Sequence, residues 1–272
     1  MKKEISNKID KTGFTVLRSF INKKYCKNLK DSISKYRGYK FYNSVKLLKQ
    51  KSRFFKNNPD LQFNYLNNFD HKYIDEKILS VVPGKIINKK IIWNVNKKFL
   101  PKWLKKYEKY IMGNLNHYIK KQFQDETHFY GTYIHSDILK GENKNFITAY
   151  LYLDKVPKNR APLEMFEKTH KLGGARWPVM IRKFDKKKYL YINGDNTMFA
   201  KKNIATGNTG DLILFDGRTL HTTDYNTSKT QRVSLRYLIV PNKKLKKYKI
   251  KSRHKTFGLK GDHLKLLGMY NK

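Results

Sequence analysis

Apolar and polar positions change their period partway along the chain. In the first part the spacing is helical: Tyr25, Leu29, Ile33 and Tyr36 recur on one face, and Gly38 follows as a C-cap. From Pro101 to Gln122, Trp103, Leu104, Tyr107, Ile111, Leu115, Tyr118 and Ile119 form one face of an amphipathic helix with proline near its start. A short strand is expected before the first helix, at Gly13-Phe14-Thr15-Val16-Leu17. From about residue 130 the period becomes strand-like. The candidates are Thr132–Leu139, Phe146–Leu153, Leu163–Phe166, Leu212–Phe215 and Arg232–Val240, with Gly, Asp, Asn and Pro between them.

Helices first and short strands afterwards predict an α+β protein whose core is a β double sheet, a sandwich or jelly roll. No internal repeat and no Gly/Ser/Pro-rich linker divides the chain, so one domain is expected over residues 1–272. Within it, 1–130 reads as a mainly helical flank, 131–240 as the jelly-roll core and 241–272 as a basic C-terminal extension. The length, 272 residues, is ample for a buried core.

Charge complicates this picture. The chain carries 60 Lys+Arg against 21 Asp+Glu, a formal net charge of +39. Apolar residues at 39% and aromatics at 14% are too many for a disordered basic tail, so this is a folded protein with a basic skin. Nucleic-acid binding is the first reading of such a charge. Yet 50 of the 60 are Lys and only 10 are Arg, beside 24 Asn, 21 Ile and 5 Ala, the mark of an AT-rich genome. Groove readers lean on Arg, whose planar fork pairs bidentately with guanine and phosphate. The charge is also uneven: net +20 over 1–130, +9 over 131–240 and +10 over the last 32 residues. Lys243, Lys244, Lys246, Lys247, Lys249, Lys251, Arg253 and Lys255 in the tail read as solvated charge.

A single cysteine, Cys26, forbids an intrachain disulfide and suits a reducing compartment. The opening MKKEISNKIDK has no apolar core of a signal peptide, and no run of 18 apolar residues spans a membrane. A cytoplasmic protein is expected.

The candidate chemistry lies in the strand region. In His135-Ser136-Asp137, side chains at i and i+2 of a strand share a face, so an imidazole and a carboxylate point together. Alone this is weak, and a hydrogen-bonded surface pair would explain it equally. A second piece is the turn and buried strand Gly210–Asp216, followed by His221, 84 positions after Asp137. Two histidines and a carboxylate on one side of a metal make the facial triad of non-haem Fe(II) oxygenases. Arg232, eleven residues after His221, is the third piece. A buried guanidinium near a metal needs an anionic partner, and the distal carboxylate of 2-oxoglutarate would serve.

In these residues the chain resembles the phytanoyl-CoA dioxygenase family of Fe(II)/2-oxoglutarate-dependent oxygenases, over nearly its whole length. Asp10 to Phe20 is similar to the family's opening, a helix end followed by a Gly-aromatic strand. His135-x-Asp137 falls where the family has its H-x-D. Ala161 to Lys171 resembles the strand and turn ending in P-G-S-H-K, and His221-x-Thr223 with Asn226, Ser228 and Arg232 matches the closing H-x-S, N-x-S and R. The resemblance implies His135, Asp137 and His221 as iron ligands. It implies Arg232 as the partner of the far carboxylate of 2-oxoglutarate, and Thr223 as a hydrogen-bond donor to it in place of the usual Ser. Tyr133, on the inward face by alternation, is a candidate for lining the cofactor or substrate pocket, or a core aromatic. The implied reaction consumes 2-oxoglutarate and O2, with ascorbate in support, releases succinate and CO2, and hydroxylates a C–H bond. Related halogenases carry a small residue at the carboxylate position, so Asp137 argues for hydroxylation or another oxidation and against halogenation.

One stretch departs from the family. Glu167-Lys168-Thr169-His170 stands where Pro-Gly-Ser-His is usual, so this turn and the loop through Arg176 and Trp177 are expected to be reshaped. His170 is not a ligand in the resembling motif. His71, His117, His128, His254 and His263 show no ligand spacing. Arg236 shares a strand face with Arg232 and is a candidate to meet an anionic substrate group, or to sit paired at the barrel mouth. Arg176 and Trp177 are candidates for a substrate clamp, or ordinary loop anchors. Arg236, Arg176 and Arg218 together favour a small anionic or polar metabolite. The alternatives are a 2-oxoglutarate oxygenase acting on nucleic acid, with the basic surface holding phosphates, and a non-catalytic basic binding module. The base-demethylating branch places its arginines further past the distal histidine than Arg232 stands. Four motifs in order argue against the binding module.

Overall fold

The computed structural model describes residues 2–37, 64–65, 72–94, 134–175, 179–223, 226–230 and 232–248. Three α-helices lie among them: α1 (Lys3–Thr12), α2 (Lys23–Arg37) and α3 (Lys72–Val81). The strands are β1 (Phe14–Leu17), β2 (Asn64–Tyr65), β3 (Gly84–Asn94), β4 (Ile147–Tyr152), β5 (Leu163–Phe166), β6 (Met180–Lys183), β7 (Lys188–Asn193), β8 (Asn196–Ala205), β9 (Leu212–Asp216), β10 (His221–Thr223) and β11 (Arg232–Pro241).

They form two antiparallel sheets, ordered β1-β9-β4-β11-β3-β2 and β10-β5-β8-β7-β6. Alternation along the strands decides what each face meets. Ile147, Ala149 and Leu151 of β4, Leu212 and Leu214 of β9, and Val233, Leu235, Tyr237 and Ile239 of β11 point outward into one buried cluster. There they meet Ile5 and Ile9 of α1, Cys26 and Leu29 of α2, and Ile74, Ile78 and Val81 of α3. Their neighbours Tyr150, Tyr152, Ile213 and Phe215 point inward and join Leu163, Met165 and Ala205 of the other sheet. The inner cluster is the jelly-roll interior, and the helices pad the outer face of the six-stranded sheet.

Glycine is required at one junction in particular. Gly13 closes α1 at φ +98°, donating its N–H to the Ile9 carbonyl at 2.7 Å, and its own carbonyl accepts from Asp216 N–H and Thr219 Oγ, each at 2.9 Å. A Cβ here would stand 2.7 Å from Thr219 Oγ and 2.8 Å from His170 Nδ1. The helix end is thus pinned against the β9–β10 connection.

Several expectations are corrected. Residues 134–139 are not a strand: only His135 and Leu139 make isolated bridges, to His221 and Ala175. Ser136 is the physical reason. Its Oγ donates to the Ile138 carbonyl at 2.6 Å and accepts from Ala175 N–H at 2.9 Å, so side-chain bonds replace the ladder. The strand expected at Gly13–Leu17 is β1, but α1 precedes it, and the segment before residue 131 also supplies β2 and β3 to the six-stranded sheet. The β6–β8 hairpins at 180–205 had no counterpart in the strand expectations. Residues 241–248 are more than solvated charge: Leu245 is buried in the outer cluster and Tyr248 donates to the Asp10 carbonyl at 2.7 Å. The helix expected at Pro101–Gln122 lies outside the described residues. No helix among the described residues is long and apolar enough to cross a membrane.

Candidate metal and cofactor site

Three potential ligand atoms converge inside the jelly roll. His135 and His221 form a two-residue bridge, exchanging backbone hydrogen bonds of 3.0 and 2.8 Å. That bridge sets the imidazoles side by side, ring centroids 4.3 Å apart. Asp137 follows on the Ser136 turn, its Oδ1 lying 3.7 Å from His135 Nε2 and 3.8 Å from His221 Nε2. One ligand atom from each residue falls within 4.8 Å of the others. A set of two imidazole nitrogens and one carboxylate oxygen suits a divalent transition metal.

The surroundings prepare these atoms. His221 Nδ1 donates to the Thr219 carbonyl at 3.0 Å, which fixes the tautomer and leaves the Nε2 lone pair free. Burial, then the neighbouring His135, pushes His221 down to about 3, so its ring is neutral and able to ligate. The Asp137 side chain is also enclosed, 7% exposed. Burial would raise its carboxyl, but the Arg236 guanidinium beside it holds it well below the usual range and therefore ionised. Its other oxygen, Oδ2, accepts from Thr148 Oγ at 2.7 Å.

Beyond the triad, β11 carries Arg232, fully buried. Its Nη1 donates to the carbonyl of Ala161, itself at φ +51°, while Nε and Nη2 have no hydrogen-bond partner among the described residues. The guanidinium carbon lies 5.9 Å from the centre of the Tyr152 ring. Tyr152 cannot serve as its counter-charge: burial pushes the phenol up to about 12, and the hydroxyl is engaged with Leu163 N–H and the Ala205 carbonyl. A buried cation with two unpaired donors calls for an anion. Ser234, the next inward residue, adds in its Oγ a third buried donor with no partner among the described residues. Thr223 is buried on β10, in register with Leu163, two residues past the carbonyl that Arg232 grips. These atoms fit a dicarboxylate bound to a metal at the triad.

The sequence between His221 and Arg232 has a structural task. Asn226 Nδ2 donates to the Thr230 carbonyl at 2.8 Å, and Ser228 Oγ donates to Asn226 Oδ1 at 2.7 Å. This closed turn returns the chain from β10 to β11 and fixes where Arg232 enters.

Other candidates fall elsewhere. Arg236 reaches Asp137 Oδ1 at 2.7 Å. Arg218 pairs with both Asp216 oxygens and donates to the Lys246 carbonyl. His170 is buried away from the triad, 3.2 Å from the Asp10 carbonyl and edge-on to Tyr248. Tyr133, Arg176 and Trp177 lie outside the described residues. In the turn at Glu167–His170, Lys168 takes φ +66° and its N–H reaches the Thr12 carbonyl at 2.7 Å. Thr148 and Ser234 belong to no recognisable motif in the sequence. Strand alternation through Tyr150 and Arg232 was the signal that would have placed both inward.

Comparison with known proteins agrees with this architecture. The family model described as phytanoyl-CoA dioxygenase (PhyH) matches residues 9–234. Among solved structures, the epimerase SnoN in complex with Fe3+, alpha ketoglutarate and nogalamycin RO superposes with a TM-score of 0.52 at 10% identity, covering 88% of this chain and 83% of that one. The alpha-ketoglutarate-dependent carbocyclase SnoK from nogalamycin biosynthesis gives 0.51 at 11% identity, covering 89% and 84%. At such identities the likeness is one of fold. No curated protein sequence matches the chain significantly.

Proposed function

The chain belongs to the phytanoyl-CoA dioxygenase family, and from that premise we propose that it hydroxylates a C–H bond of a small metabolite, with His135, Asp137 and His221 holding iron and Arg232 anchoring 2-oxoglutarate. The protein is a 2-oxoglutarate-dependent non-haem iron oxygenase. Bound at the site, iron and 2-oxoglutarate supply the oxidising chemistry, in which O2 is consumed and succinate and CO2 are released.

One observation carries the assignment of roles: a fully buried guanidinium with two nitrogens unpaired among the described residues sits in the same interior as the two-nitrogen, one-oxygen cluster. His221 presents a neutral Nε2, held by the Thr219 carbonyl. Asp137 supplies the negative ligand, its second oxygen kept by Thr148. Arg232 binds the far carboxylate, with Thr223 as a neighbouring hydroxyl. With three protein ligands on one side, the opposite side is left for cosubstrate and substrate. The intact carboxylate ligand favours hydroxylation over halogenation. Arg236 and Arg218 are both engaged by carboxylates of this chain, so the substrate's polarity rests on other residues.

The test is succinate release from 2-oxoglutarate by iron-loaded protein in air, screened over charged and neutral metabolites. Stimulation by one class of small molecule, abolished in Asp137→Ala and Arg232→Met, is the expected result. Release that survives either substitution contradicts the assigned roles.

A further inference from the structure

Both oxygens of Asp137 are taken by protein donors. Oδ2 accepts from Thr148 Oγ, and Oδ1 accepts from Arg236 Nη2, each at 2.7 Å. Oδ1 is also the oxygen that faces the two imidazole Nε2 atoms, at 3.7 and 3.8 Å. A metal held by the triad must therefore share Oδ1 with a guanidinium. The oxygen has lone pairs enough for both. The charges, however, repel: two positive groups then stand on one oxygen in a buried interior where screening is weak.

The placement of Arg236 follows from the fold. It is the third inward residue of β11 after Arg232 and Ser234, in register with Tyr150 of β4, and two residues along β4 from Tyr150 stands Thr148. The two donors to Asp137 thus come from adjacent strands, while Asp137 itself arrives on the Ser136 turn. Asp137 gives Arg236 its only ion pair among the described residues, and its side chain is only 14% exposed. A carboxylate enclosed like Asp137 is costly to leave bare, so a resident cation has a clear physical use in the metal-free protein.

Resting on the triad reading above, we infer that Arg236 is a positioning residue that acts as the resident counter-ion of Asp137. It turns Oδ1 toward the imidazoles, neutralises the carboxylate when the metal is away, and weakens the metal's hold by its charge. Thr148 keeps Oδ2 aside, so Asp137 ligates through one oxygen. Iron is consequently exchangeable, and the empty barrel is stable without it.

The experiment uses the full-length protein stripped of metal by a chelator and titrated with Mn(II), which needs no O2 or 2-oxoglutarate. Mn(II) affinity is read by calorimetry, and the rise in Tm on adding Mn(II) is read beside it. Arg236→Gln, which removes the charge, is expected to bind Mn(II) at least about tenfold more tightly and to gain more in Tm than the wild type. Arg236→Lys, which keeps the charge, should stay within about threefold of wild type. A purely structural role would move the affinity the other way, so unchanged or weaker binding by Arg236→Gln overturns the inference. Should Arg236→Gln fail to fold without metal, Mn(II) should restore its refolding, and the Asp137→Asn/Arg236→Gln double variant should fold without it; failure of both overturns the inference. Wild-type protein that binds no Mn(II), or binds it equally after His135→Ala, overturns the triad reading and this inference with it.

Discussion

Lys168 holds a backbone conformation that glycine adopts freely, at φ +66°, and its N–H is committed to the Thr12 carbonyl. An L side chain there stores strain of roughly 1–2 kcal/mol, part of which glycine would return through its freer unfolded chain. Lys168→Gly is therefore expected to stabilise the protein by about 0.5–1 kcal/mol in urea unfolding, with activity unchanged. A loss of stability would show that the Lys168 side chain contributes more than its backbone costs. His221 makes a second prediction at this scale. Its folded value, about 3, lies below the ordinary imidazole value. The unfolded chain therefore takes up the proton first as pH falls. Above the ordinary value, near pH 6.5, the group contributes nothing; from there toward pH 3 the metal-free protein loses stability by up to about 1.4 kcal/mol per unit. Replacing His221 with Asn should remove that slope, as measured by denaturant midpoints across this pH range.

Between elements, the junction of α1 with the β9–β10 connection carries the most coupling to the site. Gly13 accepts from Thr219, and Thr219 in turn accepts from His221 through its carbonyl. Gly13→Ala would place a Cβ 2.7 Å from Thr219 Oγ at a positive φ. The expected cost is roughly 2–4 kcal/mol of stability, from strain and overpacking together. Weaker Mn(II) binding should accompany it because Thr219 moves; intact binding would uncouple the junction from the metal ligands. The sequence was legible where one residue type forces one structure. The family-like opening from Asp10 to Phe20 marked a helix end before an apolar strand, and alternation placed β4, β5, β9 and β11 within a residue or two. Spacing brought His135, Asp137, His221 and Arg232 into one constellation. What it concealed were contacts made by ordinary residues. The Ser136 side chain broke an expected strand, yet the turn still delivers Asp137 beside His135. Thr148 and Ser234 are short hydroxyls whose importance comes from where their strands face. The β7–β8 ladder at 188–205 is rich in lysine and asparagine, which blur the period that signals a strand.

Across the whole molecule, the charge of +39 and the buried site belong to different regions. Lys243, Lys244, Lys246 and Lys247 are exposed, whereas Leu245 and Tyr248 between and after them tie the same segment to the outer core and to α1. The groups that define the site are few: one carboxylate, two imidazoles and two guanidiniums, of which Arg236 is paired with Asp137 and Arg232 has no ion pair among the described residues. Surface lysines will attract any polyanion, with an affinity that falls steeply as salt rises. Oligonucleotides are accordingly expected to bind at low salt, to be released at physiological salt, and not to stimulate succinate release; stimulation by an oligonucleotide would give the surface charge a catalytic purpose. The central claim is narrower, that the triad and Arg232 together form one iron and 2-oxoglutarate site. Anaerobic addition of Fe(II) and then 2-oxoglutarate to the metal-free protein tests it most directly, read by visible absorption. A weak charge-transfer band that needs both additions, vanishes in His221→Ala and requires far more 2-oxoglutarate in Arg232→Met is the predicted result. No band in the wild type, or one indifferent to both substitutions, would contradict it.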